Sequence, residues 1–194
     1  SFWVGWGTGM QVMYCARAVL HDSSIFGHND FVSLTPPVFT SGVFARDSTL
    51  WIANSEVTCV GNSGAQVPGP GLELMNSTLH AWRTSIRGAD IGGSSCDECG
   101  TPGGPGILAA GSTVSLFGGP TSSVVGGQGG YDVGYLSGPE DGGVGVHLTG
   151  NSHARIQADI PIQGGLDGDG RFQAPAFRTD STSSFTLVPK VFPT

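Results

Sequence analysis

Charge is scarce in this chain, and lysine is scarcest of all. Only 12% of the 194 residues are charged, Lys190 is the single lysine, and eight basic residues stand against fifteen acidic ones for a formal net charge of −7. A nucleic-acid binder normally carries a basic patch, and so does a protein that lies on an anionic membrane; the composition argues against both. Long apolar runs are missing too: none approaches the roughly 20 residues of a membrane-spanning helix, so membrane insertion is not expected. The four cysteines, Cys15, Cys59, Cys96 and Cys99, are too few for a disulfide scaffold, although their even number suits a secreted protein. Helical periodicity is almost absent. Only Met10 to Leu20 hints at it, and there Val12, Tyr14, Ala16 and Ala18 also alternate as a strand does. The chain opens at Ser1 with no Met, no charged n-region and no clean signal-peptide core, which reads as a mature product or an internal piece of something longer.

Glycine is abundant, at 33 residues, with 12 prolines beside it; a hydrophobic content of 38% still leaves enough to pack an axis, so the glycine is not read as disorder. It punctuates a repeat. Asn76-Ser77-Thr78-Leu79 returns as Asp47-Ser48-Thr49-Leu50, Gly111-Ser112-Thr113-Val114 and Asn151-Ser152-His153-Ala154, and more faintly as Asp22-Ser23-Ser24-Ile25 and Asp180-Ser181-Thr182. Upstream stand Gly42-Val43, Gly71-Leu72 and Gly106-Ile107, with Val146-His147-Leu148 in the fourth copy. Each residue before the anchor Ser is a type that tolerates a left-handed backbone, so each copy turns there. After the turn Leu50 and Ile52, Leu79 and Ala81, Val114 and Leu116, and Ala154 and Ile156 point one way, while Trp51, His80, Ser115 and Arg155 point the other. A second apolar point follows at Val32, Val57, Ile86, Val124 and Ile160 or Ile162.

Subtracting the numbers of successive anchors, Ser23, Ser48, Ser77, Ser112, Ser152 and Ser181, gives 25, 29, 35, 40 and 29 residues. A strand-rich repeat of that size fits one turn of a parallel β-solenoid, whose coils bury their apolar residues by stacking on one another. The expectation is a single all-β domain over 1–194 with about six coils: a cap or joint over 1–20, coils over 21–175 and a closing strand within 176–194. A β-sandwich is the competing architecture, but it does not explain why one Asx-Ser turn keeps returning.

The linkers lengthen at one phase of the repeat, at 61–70, 88–105, 126–143 and 164–175, which puts glycine-rich loops on one face. The last three hold eight of the fifteen acidic residues. Among these Asp167 and Asp169, in Asp-Gly-Asp-Gly, and Asp132, Glu140 and Asp141 are oxygen donors of the kind a calcium ion takes; solvated turns are the plainer reading. Cys96 and Cys99 form a CxxC without a partner motif and are the candidate local disulfide, with zinc as the lesser option. Cys15 and Cys59, on different coils, are a candidate pair only if their Cα atoms come within about 7 Å. Trp51 and His80 share an outward phase, where an aromatic surface can meet a sugar ring or simply pack under a loop. The apolar ends, with Phe2, Trp3 and Trp6 at one and Phe185 and Phe192 at the other, lack a polar cap and point to a homo-oligomer or end-to-end filament.

The unit Gly-apolar-x-apolar-x-Asx-Ser-Thr-apolar with Gly-Gly-rich linkers resembles secreted right-handed parallel β-helix repeat proteins of bacterial surfaces, over about Asp22 to Gly165. The resemblance implies an extracellular or cell-surface location and the fold, and it carries no activity. The polygalacturonase-like hydrolases on this fold need motifs of which Gly27-His28-Asn29 and Arg155-Ile156-Gln157 keep only part, so no catalytic residue transfers. The reading is a structural or adhesive surface element. A polysaccharide lyase or glycoside hydrolase, or a sugar-binding module for polysaccharide, is the alternative.

Overall fold

The computed structural model describes residues 8–28, 40–61, 68–91, 102–130 and 139–189. In chain order the strands are β1 (Met10–Met13), β2 (Ala18–His21), β3 (Ser24–His28), β4 (Val43–Arg46), β5 (Thr49–Ala53), β6 (Glu56–Val60), β7 (Leu72–Met75), β8 (Thr78–Trp82) and β9 (Ser85–Arg87). They continue as β10 (Ile107–Ala110), β11 (Thr113–Phe117), β12 (Ser123–Val125), β13 (Val146–Thr149), β14 (His153–Gln157), β15 (Ile162–Gln163), β16 (Phe177–Thr179) and β17 (Ser184–Val188). Every third strand is a neighbour. The sheets run β1-β4-β7-β10-β13-β16, β2-β5-β8-β11-β14-β17 and β3-β6-β9-β12-β15, and all their ladders are parallel. This is a parallel β-solenoid with a three-sided cross-section, and a short 3-10 turn at Gly119–Thr121 is the only helical element among the described residues.

Alternation sets the core. Leu50, Leu79 and Val114 align in register on the second sheet, as do Val43, Leu72, Ile107 and Val146 on the first and Val57, Ile86 and Val124 on the third, and all are buried. Each coil therefore closes on the next with like residues stacked along the axis.

The solenoid has about four turns, against the six expected. Two of the six anchors do not belong to the corner that the other four define. Ser48, Ser77, Ser112 and Ser152 line the first corner, between the first and second sheets, where each Oγ accepts the backbone N–H of the preceding layer: Cys15 to Ser48 at 2.9 Å, Ser48 to Ser77 at 3.2 Å, and Ser77 to Ser112 and Ser112 to Ser152 at 3.0 Å. Each hydroxyl in turn donates to a carbonyl just upstream, such as Met75 at 2.8 Å. Ser23 sits instead at the second corner, its N–H bonded to Ser55 Oγ at 3.1 Å. At the last layer the ladder is taken up by Ser183, not Ser181. The end layers also close incompletely: Ala18, Leu20 and Ile25 at one end and Ile162 and Phe177 at the other are only partly buried, so the sealed core runs from β4 to β14 with Val12 and Ile160 added.

Both corners use left-handed residues. Asp47, Asn76, Gly111 and Asn151 have φ of 48°, 47°, 60° and 65° at the first, and Asp22, Asn54 and Arg83 have 50°, 49° and 49° at the second. The stretch Met10–Leu20, whose pattern left helix and strand open with a lean to strand, is β1 and most of β2, separated by a turn with a left-handed Tyr14 (φ 53°). It forms a layer of the solenoid itself.

The linkers do leave at one phase, and their glycines are packed. Legs that run out from the third sheet and back to the first lie backbone against backbone, joined by a relay of N–H to C=O bonds: Ala174 to Gly165 (2.9 Å), Gly165 to Gly143 (2.7 Å), Gly143 to Gly127 (2.8 Å), Gly127 to Gly104 (2.7 Å), Gly104 to Ala89 (2.9 Å) and Ala89 to Gly69 (3.1 Å). A Cβ on Gly127 runs into Ala89 O, and one on Gly165 runs into Gly127 O. Neither glycine has a left-handed φ; they are glycines because another backbone occupies the place of a side chain.

Candidate ligand-binding face

The outer surface of the second sheet differs from the rest of the molecule. Pairing places Val19, Trp51, His80, Ser115, Arg155 and Thr186 in one row across its six strands. A flanking row holds Thr49, Thr78, Thr113, His153 and Ser184, and the other holds His21, Ala53, Trp82 and Phe117. The outward positions of these strands carry hydroxyls, aromatics, imidazoles and a guanidinium, and no carboxylate; Ser115, outward by phase, is nevertheless buried at 7% exposure, in register between His80 and Arg155.

Trp51 stacks on His80, ring centroids 4.1 Å apart at 27°, and the Arg17 guanidinium lies 5.5 Å from the Trp51 centroid. Trp82 has Arg83 at 5.8 Å. Both indoles remain open to solvent, Trp51 at 42% and Trp82 at 49% exposure. Trp51 and His80 stand outward as their phase from the anchor serine required. Trp82 and the two arginines were not singled out in the sequence, yet Trp82 follows from the alternation that buries Leu79 and Ala81; Arg17 and Arg83 lie in turns, where period gives no guide.

Beside Trp82 the second corner opens into a shallow cleft of about 530 Å³, lined by Asp22, Asn54, Glu56, Arg83, Ser85 and Thr121 among others. Two carboxylates and an arginine do meet in this cleft. Asp22 pairs with its neighbour His21 at 2.8 Å, and Glu56 is exposed, so neither is desolvated as a catalytic acid would be.

Of the acidic loop residues read as oxygen donors, Glu140, Asp141, Asp167 and Asp169 lie among the described residues. Asp167 is buried, and its carboxylate accepts the Arg171 N–H at 2.6 Å, closing the turn through which Leu166 bridges Gln173. Asp169 faces Arg171 at 3.6 Å, and Glu140 and Asp141 stand on a neighbouring leg. No group of three His, Cys, Asp or Glu side chains suited to a metal occurs among the described residues. Asp132, Cys96 and Cys99 lie outside them, as do Phe2, Trp3, Trp6 and Phe192. Cys15 and Cys59 are free thiols and do not pair: Cys15 is at the first corner, while Cys59 is buried on β6, its thiol donating to Thr40 O at 3.5 Å. Burial pushes the Cys59 pKa up to about 12, against the pull of bonds at Thr40 and Gly69. Phe185 is on the last layer at 40% exposure, stacked on Phe177 at 4.3 Å.

On the first sheet, burial raises the Glu73 pKa against the pull of Arg46, and burial with Arg178 lowers that of His147 against Asp180. Leu108 lies between them in register, so they form no pair. No helix of the described residues is long and apolar enough to cross a membrane. Comparison with known proteins finds no matching family model, no match among curated proteins and none among solved structures.

Proposed function

We propose that this protein is an extracellular adhesive element of a bacterial surface, a rigid solenoid that holds polysaccharide on the outer face of its second sheet. The observation that carries this reading is the exposed aromatic platform of Trp51 on His80 with Trp82 beside it. Exposed indoles pack on the apolar faces of sugar rings, Trp51 through the edge that the stacked His80 and the Arg17 guanidinium leave open, while the hydroxyl row and the cleft supply hydrogen bonds to sugar hydroxyls. Titration with soluble polysaccharides, followed by tryptophan fluorescence, tests it. Trp51→Ala and Trp82→Ala should each weaken binding by about fivefold, the worth of roughly 1 kcal/mol of aromatic contact. Absence of binding across neutral and acidic polysaccharides overturns the reading. Release of new reducing ends would instead favour a hydrolase or lyase acting in the cleft of Asp22, Glu56 and Arg83.

End-to-end assembly is a second reading with its own support. Phe185 and Leu187 stand in register with the buried Ala154 and Ile156, at core-facing positions of the last layer, and are 40% and 54% exposed, an apolar end that a first layer of another copy can cover. Light scattering should show particles that grow with concentration and revert to monomers in Leu187→Asp. A monomer at every concentration sinks this idea.

A further inference from the structure

We infer that the polysaccharide is polyanionic and lies along the solenoid axis, one sugar unit per strand layer; this rests on the glycan-binding reading above. Five of the seven arginines divide into two groups, Arg46 and Arg178 lying on the first sheet beside Glu73 and His147. Arg87 and Arg171 are held by carboxylates, Asp90 at 2.8 Å and Asp169 at 3.6 Å. Arg17, Arg83 and Arg155, which stand on or beside the aromatic face, have no ion pair among the described residues. In a chain of net charge −7 with carboxylates to spare, the cations of this one face are left open. The carboxylates that flank it belong to its corners: Asp22 and Glu56 at the cleft, Asp47 at the first corner and Asp159 after β14.

The geometry points to an axial path. Arg17 stands in the layer of β2, Trp51 and His80 in the next layers, then Ser115, then Arg155. Parallel strands are about 4.8 Å apart, close to the length of one pyranose unit in an extended chain, so Arg17 and Arg155 lie about 19 Å apart along the stack. A glycan crossing the strands keeps step with them. Its central units pass over the exposed edges of the stacked Trp51–His80 pair, and its carboxylates or sulfates meet a guanidinium at either end, where a charge-assisted bond outweighs a neutral one.

The probes are polygalacturonate, its fully methyl-esterified and hence neutral form, and single-stranded thymidine oligonucleotide. The full chain should bind polygalacturonate about tenfold more tightly than the ester, with an affinity that falls as salt rises. Arg155→Gln, at an exposed position, should cut that preference to about threefold, since Arg17 still meets the other end. Trp51→Ala should weaken both glycans. Equal affinity for acid and ester, or an Arg155→Gln variant that prefers the acid as strongly as the parent, overturns the inference while the glycan-binding reading stands. Binding of neither overturns both. Tighter binding of the oligonucleotide than of polygalacturonate reassigns the face to nucleic acid and overturns the inference too.

Discussion

Leu79→Asp unfolds the protein, and circular dichroism of the variant lacks the β-sheet signal at temperatures where the parent chain keeps it. Leu79 is wholly buried, in register between Leu50 on one side and Val114 on the other, with Leu74 and Ile86 in the same core. An aspartate there has no cation or water to meet, and the penalty for a buried unpaired charge is several kcal/mol even after its pKa rises. Native domains are stable by only about 5–15 kcal/mol, so one such residue takes most of it. The effect is set by direction as much as by position. Thr113→Asp, one strand over but on the outer face, should melt within about 0.5 kcal/mol of the parent. A Leu79→Asp variant with an unchanged melt would mean that the register is wrong.

The second large effect is expected where no side chain exists. Gly127→Ala should lower the thermal midpoint sharply, because its Cβ meets the carbonyl of Ala89, which belongs to a leg held on both sides. Overpacking of side chains costs about 1–3 kcal/mol; here the obstacle is backbone, which cannot change rotamer, and the loss belongs at or beyond the upper end. Gly170 is the control. It has φ of 71° with nothing within 4 Å of a would-be Cβ, so Gly170→Ala should cost only about 1 kcal/mol, through backbone strain alone. Equal melting of the Gly127→Ala variant and the parent would remove the packed-leg description.

The parts of this fold that sequence made legible are those with period two. Once Ser77 was placed, the burial of Leu79 and Ala81 and the exposure of His80 followed, and so did the faces of Leu50, Trp51 and Ile52. The corners were harder, because one chemical device serves two places. A left-handed residue followed by a hydroxyl one step later occurs as Asn76-Ser77 at the first corner and as Asn54-Ser55 at the second. Asp22-Ser23 therefore looked like the former and is the latter, and the first layer went unrecognised because its first corner reads Tyr14-Cys15. The glycine legs were invisible for a different reason. A residue without a side chain leaves no apolar pattern, and Gly104 packed against the backbone of a neighbouring leg looks the same in sequence as Gly170 in open solvent. The binding face was half legible: phase gave Trp51 and His80, whereas Arg17 and Arg83 reach it from turns whose direction no alternation sets.

The serine ladder also has a direction. Each of its bonds runs from the amide of an earlier coil to the hydroxyl of the following one, so a coil is completed by its successor. A chain leaving the ribosome N-terminus first thus carries one open amide at its growing end, inside the corner, until the next serine arrives to close it. The series stops where Ser183 receives the last of these bonds and its own amide turns back to Asp180 O at 3.4 Å. There Asp180 gathers the N–H groups of Gly150 at 2.7 Å and Thr182 at 3.0 Å, tying the final turn to the coil before it. In the last described layer the amides of Asp180, Thr182 and Ser183 are thus all bonded, to Leu148 O, the Asp180 carboxylate and Asp180 O.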